Sequence, residues 1–240
     1  MIAAIIQARM GSTRLPGKVL KKAEGKTLLE HVVERVGRAK TLDKIIIATT
    51  ESPNDDAIVD EAKKLGAEVF RGSEEDVLGR FCGAARKFSA KHVVRLTADC
   101  PLMDPEVVDE AVNFYLRSPE KYDYVCNVNP PTYPWGMDVE VFSTKALEKA
   151  QKETKLPHER EHVTPYIRNH PEIFNIGNIE YKENFANLRL TVDGPEDLAV
   201  VGGVFNELYP KNKHFKLADI LNLYGQKPGI FSANSHIKRI

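Results

Sequence analysis

The residues best suited to chemistry in this sequence lie in one short segment near the N-terminus. Residues 7–18, Gln-Ala-Arg-Met-Gly-Ser-Thr-Arg-Leu-Pro-Gly-Lys, follow directly on the apolar run of residues 1–6. The segment combines two glycines with three cations, Arg9, Arg14 and Lys18. Because free backbone N–H groups and nearby cations are what a polyphosphate needs, the segment is predicted to bind phosphates.

Two familiar phosphate-binding motifs do not fit this segment. A Walker A loop needs four residues between Gly and Gly-Lys and then a Ser or Thr that binds magnesium. Here five residues separate Gly11 from Gly17, and Val19 follows Lys18. The dinucleotide pattern G-x-G-x-x-G is absent from the sequence. A magnesium ion bound with the phosphates must therefore be held by carboxylates elsewhere in the chain. A solvated basic turn is the alternative interpretation.

Two aspartates follow predicted strands and are candidates for that metal. Asp99 follows residues 92–97, and Asp193 follows residues 188–192. Because the carboxyl ends of parallel strands meet at one edge of a sheet, both are expected to face the phosphate segment and to hold one Mg²⁺. Asp193 also fits the N-cap of the helix that directly follows it. Asp99 lacks this alternative role, because Asp104 is placed to cap the helix that follows residues 92–97.

The elements that must position these residues alternate along the first half of the chain. Strands are predicted at residues 2–6, 44–50, 67–70 and 92–97. Helices are predicted to begin at Thr27, Asn54, Ser73 and Asp104. This alternation predicts an α/β fold with a doubly wound, mostly parallel sheet in three layers, and a site at the carboxyl ends of its strands.

The alternation falters after a short strand at residues 122–126. Residues 129–136 are rich in proline, and a strand pattern resumes over residues 137–142. We expect one domain over residues 1–240, in which residues 127–186 form an inserted segment for sugar binding or dimerisation. Residues 188–192 are predicted to be the last strand of the sheet, and helices are expected near 143–153, 159–169, 193–198 and 216–222.

The charge balance and the cysteines limit the partners and the location of the protein. The 240 residues include 34 basic and 34 acidic ones, so there is no basic excess for binding nucleic acid or an anionic membrane. Cys82, Cys100 and Cys126 form no C-x-x-C pair and are expected to be reduced thiols. No segment is expected to be a signal peptide or a membrane span. These features favour a cytoplasmic protein.

Several segments resemble the cytidylyltransferases that activate acidic sugars, namely the acylneuraminate and 3-deoxy-manno-octulosonate group. Residues 7–18 resemble the nucleotide loop of that family, and residues 97–102 and 191–198 resemble its two metal segments. Three further segments are most similar to the spore-coat polysaccharide branch of the family: residues 76–81, 136–142 and 159–164. The resemblance runs in order over nearly the whole chain.

The resemblance implies a Rossmann-like nucleotidyltransferase that uses CTP and Mg²⁺. An anomeric hydroxyl or a sugar phosphate attacks the α-phosphorus and pyrophosphate leaves, which requires mainly positioning and charge neutralisation. The resemblance gives catalytic roles to Arg14, Lys18 and Asp99, and metal binding to Asp99 and Asp193. The nucleotide is expected to contact Gln7, Ala8, Arg9, Gly11, Ser12, Arg14, Lys18, Arg71, Ser73 and Arg80, of which the last three lie near the cytosine or its ribose.

The sugar is expected to bind to the inserted segment. Its candidate residues offer an aromatic face, carboxylates and a cation for the carboxylate of a sugar acid: Asn127, Trp135, Asp138, Glu140, Arg160 and His162. Asp138 and Glu140 alternate with apolar residues, which is also the pattern of any half-exposed strand. The resemblance further implies a homodimer.

Three alternatives remain open at this point. One is a glycosyltransferase, or another nucleotidyltransferase, of the same fold, although a D-x-D metal pair is missing because Pro101 follows Cys100. Another is a zinc hydrolase built on residues 158–162, His-Glu-Arg-Glu-His, although Pro157 and Pro165 leave little room for a helix. The third is a catalytically silent subunit that binds a nucleotide.

Overall fold

A computed structural model describes residues 1–117 and 121–239 of the chain. The strands are β1 (Ile2–Gln7), β2 (Lys22–Ala23), β3 (Lys26–Thr27), β4 (Lys44–Thr50), β5 (Glu68–Gly72), β6 (His92–Thr97), β7 (Tyr124–Cys126), β8 (Glu140–Ser143) and β9 (Ile176–Asn178). The α-helices are α1 (Leu28–Val36), α2 (Asp56–Lys64), α3 (Val77–Lys87), α4 (Pro105–Leu116), α5 (Thr144–Glu153), α6 (Pro157–His162), α7 (Pro165–Asn169), α8 (Pro195–Leu208) and α9 (Leu217–Gln226).

Seven of these strands form one sheet in the order β5-β4-β1-β6-β8-β7-β9, and β2 and β3 form a separate hairpin. Within the main sheet, β5, β4, β1 and β6 run parallel to one another, with β1 between β4 and β6. Their carboxyl ends therefore meet at one edge of the sheet. The predicted fold class is confirmed, since the sheet is mostly parallel and carries helices on both faces.

Two hydrophobic cores lie on opposite faces of the sheet. Ala4 and Ile6 of β1 pack in the core that contains α1, α2, α4, α8 and α9. Ala3 and Ile5 pack in the core that contains α3, α5 and α7. All four side chains are fully buried. A strand buried on both faces must be apolar throughout, which explains the continuous apolar run at the N-terminus.

The N-caps of the helices differ in how well the sequence predicts them. Thr27 caps α1 as expected, because its Oγ1 accepts a hydrogen bond from the N–H of Glu30 at 3.0 Å. Helix α3 begins later than expected, since Asp76 accepts from the N–H of Gly79 and Ser73 only supports Asp76. Asn54 lies in a short 3-10 turn that precedes α2. Asp and Ser compete for the same capping role, and spacing alone did not separate them.

The inserted segment contributes strands to the main sheet. Strand β8 lies between β6 and β7 and is antiparallel to both, and β9 extends the sheet in parallel to β7. The predicted strand at residues 137–142 is shorter than expected, because regular pairing begins only at Glu140. Residues 127–186 are therefore built onto the sheet edge beside β6.

The prediction that residues 188–192 form the last strand of the sheet is wrong. This segment forms one isolated bridge, between Arg189 and Trp135, and its N–H groups bond to loops: Leu190 donates to the carbonyl of Trp135 at 2.7 Å, and Val192 to the carbonyl of Asp99 at 2.8 Å. The sheet edge beside β6 is already taken by β8. The apolar pattern correctly reported burial, since Leu190 and Val192 are fully buried, but it did not identify the partner.

The described helices contain none that is long and apolar enough to cross a membrane.

Candidate active site

A cavity of ≈ 320 Å³ opens at the carboxyl ends of the parallel strands. It is bounded by the phosphate segment, the ends of β1 and β6, and the first turns of α3. Its lining residues are Gln7, Ala8, Arg9, Gly11, Ser12, Thr13, Arg14, Lys18, Val19, Val77, Arg80, Thr97, Asp99, Glu161, His162 and Asp193. The structure thus brings most of the predicted nucleotide residues and both predicted metal ligands to one site.

The phosphate segment folds back on itself through a tight turn. The N–H groups of Ser12 and Gly17 both donate to the carbonyl of Met10, at 2.8 and 3.1 Å. Gly17 has a φ of 66°, in the left-handed region that favours glycine, and a Cβ there would meet the Met10 side chain at 3.1 Å. This turn is what directs Lys18 into the cavity.

Asp55, which the sequence analysis missed, anchors the phosphate segment to the neighbouring strand. Its Oδ1 accepts from the N–H of Met10 at 2.8 Å, and its Oδ2 accepts from Thr49 and Thr50 at the end of β4. Burial alone would raise the pKa of Asp55, but these donors stabilise the ionised form and hold the pKa below its usual value. The available signal was an acidic residue shortly after a predicted strand.

Lys18 lies between the two aspartates that were predicted to bind metal. Its Nζ is 2.7 Å from Oδ2 of Asp99 and 2.8 Å from Oδ1 of Asp193. Burial of this side chain opposes its charge, but the two carboxylates outweigh burial and raise the pKa of Lys18. The ammonium group therefore stays charged and marks the point on which both carboxylates converge.

A buried arginine fixes Asp193 in this position. Arg189 donates to Oδ2 of Asp193 at 2.7 Å and also to Asp197, and Arg14 approaches Oδ1 of Asp193 at 3.3 Å. Asp197, rather than Asp193, serves the start of α8, because it accepts from the N–H groups of Asp193 and Gly194. The carboxylate of Asp193 is thereby left to face the cavity.

The two carboxylates fit a magnesium ion that is shared with phosphates. Asp99 and Asp193 are partly exposed and already converge on one cation, so their oxygens can hold another in its place. Among the described residues, no group of three or more His, Cys, Asp or Glu side chains is arranged to hold a metal. Magnesium often takes one or two carboxylates and completes its shell with phosphate and water, so two ligands are sufficient.

Gln7 is oriented by a buried ion pair that the sequence analysis did not connect to it. Arg95 donates to Oε1 of Gln7 at 3.3 Å and forms an ion pair with Glu140. Glu140 also accepts from the hydroxyls of Tyr124 and Thr164. Burial would raise the pKa of Glu140, but Arg95 and the hydroxyls hold the pKa below its usual value. With its oxygen engaged, the amide of Gln7 presents its N–H₂ group as the remaining donor.

The three residues predicted near the base occupy different positions. Arg80 lines the cavity and is almost fully buried; it donates to the carbonyl of Ser73 at 2.7 Å, while its Nε has no partner among the described residues. Arg71 lies outside the cavity wall and binds the carbonyls of Thr50 and Ser52. Ser73 supports the cap of α3 and does not line the cavity.

Of the six residues predicted to bind sugar, the structure places His162 at the cavity. The other five are engaged by other parts of the chain. Asn127 bonds to the backbone of Met137 and Val139, Trp135 stacks on Arg189 at 3.9 Å, Asp138 pairs with Arg239 at 2.8 Å, Glu140 pairs with Arg95, and Arg160 pairs with Asp76 at 2.6 Å.

The zinc-hydrolase alternative has no geometric support. Residues 158–162 lie on α6, which is only six residues long. Glu159, the general base that such a site requires, is buried and accepts a hydrogen bond from Thr154 instead. Its carboxylate is therefore directed away from the exposed side chains of His158 and His162.

Comparison with known proteins shows the family of this chain. A family model described as Cytidylyltransferase matches residues 3–235. The spore coat polysaccharide biosynthesis protein SpsF of Bacillus subtilis is 37% identical over 86% of this chain and 87% of that protein. A 3-deoxy-manno-octulosonate cytidylyltransferase of Geobacter sulfurreducens is 36% identical over 49% of this chain and 46% of that protein.

The fold agrees as well. The solved structure of a cytidylyltransferase from Leptospira borgpetersenii serovar Hardjo-bovis has a TM-score of 0.93, with 33% identity over 100% of this chain and 98% of that chain. In the cavity, the phosphate segment faces two carboxylates. The family match over nearly the whole sequence and the agreement of the fold identify the chain as a member of the cytidylyltransferase family.

Proposed function

We propose that the protein transfers a cytidylyl group from CTP to a sugar, most simply a sugar acid, with release of pyrophosphate. The observation that carries the proposal is the convergence of Arg14 and Lys18 on Asp99 and Asp193 within one cavity. Cations for a triphosphate and carboxylates for its metal ion are the two requirements of nucleotidyl transfer. The acceptor atom is an anomeric hydroxyl or a sugar phosphate, giving a CMP-sugar or a CDP-sugar.

The phosphate segment would bind the triphosphate. The Arg14 side chain is 67% exposed and forms an ion pair with Asp193 at 3.3 Å, so it is able to move onto phosphate oxygens. Arg9 pairs at 3.3 Å with the exposed Glu74 and can likewise exchange partners. These cations would stabilise the charge on the departing pyrophosphate, while Gly11 and its neighbours allow close approach of the backbone.

Asp99 and Asp193 would hold Mg²⁺ at the point that Lys18 now occupies. The ion, when bound, would lower the pKa of the attacking hydroxyl and neutralise charge on the α-phosphate. Lys18 would then exchange its two carboxylate partners for phosphate oxygens. This exchange conserves the number of charged contacts, so Lys18 would not be left buried without a partner.

The remaining walls would select the base and the sugar. Gln7 and the buried Arg80 present N–H donors at the cavity, which suits the carbonyl and hydroxyl oxygens of cytidine. Glu161 and His162 on α6 line the same cavity and belong to the inserted segment, so the acceptor sugar would enter from their side. The relatives include a spore coat polysaccharide biosynthesis protein and a 3-deoxy-manno-octulosonate cytidylyltransferase, which supports a sugar of a surface polysaccharide as the acceptor.

The proposal is tested by the release of pyrophosphate from each of the four nucleoside triphosphates, with Mg²⁺ and a panel of sugar acids and sugar phosphates. We expect release from CTP with one acceptor class. Asp99→Asn should lower kcat/KM about a hundredfold or more, because a metal ligand is lost. Asp60→Asn, an exposed position on α2, is the matched control and should leave the activity unchanged.

Two results would contradict the proposal. Binding of CTP without turnover for any acceptor would indicate a silent nucleotide-binding subunit. Transfer of a glycosyl group without pyrophosphate release would indicate a glycosyltransferase of the same fold.

A homodimer and a cytoplasmic location belong to this proposal as well. Cys82, Cys100 and Cys126 are buried and unpaired, which agrees with a reducing compartment. Contact between copies through the inserted segment predicts twice the monomer mass in light scattering.

A further inference from the structure

A second cavity, of ≈ 360 Å³, lies on the opposite side of α1 from the sheet, between α1, α8 and the connection from α8 to α9. It shares no lining residue with the candidate active site. We call it the basic cavity, after the cations among its lining residues: Lys26, His31, Glu34, Arg35, Arg38, Phe205, Tyr209, Lys213 and His214.

Arg35 is the buried base of this cavity, with 3% of its surface exposed. Its Nε donates to the carbonyl of Met103 at 2.9 Å, and its Nη2 donates to the carbonyls of Leu102 and Phe215. Its Nη1 is shielded from solvent and has no hydrogen-bond partner among the described residues. A buried guanidinium with a free donor is costly unless an acceptor is supplied.

Arg38 adds two more donors without partners. Its Nη1 makes one long hydrogen bond to the carbonyl of Lys213 at 3.4 Å, while Nε and Nη2 are shielded and unpaired among the described residues. Burial and the nearby Arg38 together lower the pKa of Arg35 to about 10, and Asp104 and Asp219 only partly offset them. Two like charges are thus held together, and within residues 1–117 and 121–239 no carboxylate forms a salt bridge with either.

The other groups at the cavity do not neutralise these cations. Glu34, the acidic residue among the lining residues, is paired with Lys26. Lys213 is exposed and contacts the ring of Tyr209 at 5.9 Å. The cavity therefore combines the buried cation of Arg35 with the more exposed cations of Arg38 and Lys213.

We propose that the basic cavity binds a phosphate-bearing anion of the pyrophosphate type. Guanidinium groups match phosphate oxygens in geometry, and three nitrogens without partners among the described residues, on two adjacent arginines, call for several acceptor oxygens at once. A polyanion fits the local charge better than a single carboxylate, because Arg35, Arg38 and Lys213 lie together at the cavity and form no ion pair with an acidic side chain in the described part of the chain. Arg38 is only half-buried, so its long side chain can rearrange around the entering anion.

The loop that follows β6 connects the basic cavity to the candidate active site. The carbonyls of Leu102 and Met103, which hold Arg35, belong to the loop that begins with Asp99 at the end of β6. An anion that draws Arg35 toward itself loosens these bonds and alters the loop that carries Asp99. This effect on turnover rests on the proposed function, whereas binding of the anion does not.

The test is calorimetric titration of the intact protein with pyrophosphate in a Lys18→Gln background, in which the active-site phosphate contacts are weakened. We expect the remaining binding to weaken about tenfold in Arg38→Gln and in Lys213→Gln, since each charge-assisted hydrogen bond is worth roughly a decade of affinity. Arg86→Gln is the matched control, because Arg86 is an exposed arginine on α3 with its own partner, Glu148.

The Lys213→Gln variant shows whether a loss of binding is due to misfolding. Lys213 is an exposed loop residue, so its substitution should leave the fold intact. Equal pyrophosphate affinity in the Lys18→Gln protein and in both further variants would overturn the proposal. Titrations with inorganic phosphate, CTP and ATP identify the source of the anion: binding of phosphate and pyrophosphate alone indicates the free ions, and binding of both triphosphates indicates a nucleotide.

Discussion

Lys18 shows how the predicted phosphate site is stabilised by contacts among its own side chains. A lysine directed into a cavity needs an acceptor, and Asp99 and Asp193 supply two. The same contacts keep the two carboxylates close together against their mutual repulsion. Lys18, Asp99 and Asp193 therefore stabilise one another, and under the proposed function phosphates and a metal ion would replace these internal partners.

Glu140 illustrates a side chain whose chemistry suggested one role and whose contacts indicate another. A carboxylate on a half-exposed strand suits a sugar hydroxyl, but Glu140 is 4% exposed and bound by Arg95, Tyr124 and Thr164. Its effect on the site passes through Arg95 to Gln7. This assigns Glu140 to positioning rather than to contact with the sugar.

Glu140→Gln should therefore lower the free energy of unfolding by about 3 kcal/mol, because Arg95 loses the partner of a buried ion pair. The KM for CTP should rise more than kcat falls, since Gln7 loses its orientation. Urea denaturation and steady-state kinetics measure the two effects, with Glu148→Gln as control, because Glu148 is a partly exposed glutamate that pairs with the exposed Arg86. An unchanged stability with a higher KM for the sugar alone would restore the sugar-binding role.

The phosphate segment depends on β4 as much as on the strand that precedes it. Asp55 lies in the turn between β4 and α2 and binds the N–H of Met10, so two adjacent strands share the support of one loop. Burial and the nearby Arg9 lower the pKa of Arg80 on α3, and the Asp55 carboxylate partly offsets them. Loss of this carboxylate should loosen the loop without changing any residue that lines the cavity.

Asp55→Asn tests this connection through its pH dependence. The folded-state pKa of Asp55 is lowered, so its stabilisation is present above the unfolded-state pKa of about 3.9 and is lost as the pH falls through the folded-state value. We expect the variant to be less stable by about 2 kcal/mol at pH 7. The difference from the wild type should shrink below about pH 4.

Chemical denaturation at pH 7, 5, 4 and 3 measures this difference. The exposed Asp60→Asn serves as the control. A stability difference that stays constant down to pH 3 would show that the carboxylate charge of Asp55 is not what anchors the segment.

A buried residue near the C-terminus supports the candidate active site through hydrogen bonds. Asn234 is buried and donates to Asp197 at 2.8 Å and to the carbonyl of Arg189 at 3.2 Å. Arg189 in turn holds Asp193. A residue close to the chain end therefore supports a predicted metal ligand through two intermediates.

Asn234→Ala should lower the free energy of unfolding by about 2 kcal/mol, because two buried acceptors lose a donor. If Asp193 shifts as a result, the Mg²⁺ concentration for half-maximal activity should rise. Thermal unfolding and a Mg²⁺ titration of the activity measure both effects, with the exposed Asn222→Ala as control. A stability loss without any change in the Mg²⁺ requirement would limit Asn234 to a purely structural role.

Local patterns were enough to predict the parallel half of the molecule and the phosphate segment. The continuous apolar strands and capped helices there depend on residues close in sequence, and Asp99 follows directly from the end of β6. Sequence also placed Asp193 correctly beside Asp99, although for the wrong reason, because residues 188–192 are not a strand of the sheet.

Contacts between residues far apart in the sequence determine the rest of the sheet order and the partners of the polar side chains. Apolar periodicity reports that a side chain is buried but not what it packs against, so the sheet position taken by β8 was not visible in the pattern. Polar side chains such as Asp138 and Arg160 can bind a ligand or another side chain, and only the tertiary structure shows that Arg239 and Asp76 already occupy them. The roles of Asp55 and Arg95 arise from partners 45 and 88 residues away. Such partners are set by the packing of whole elements rather than by local sequence.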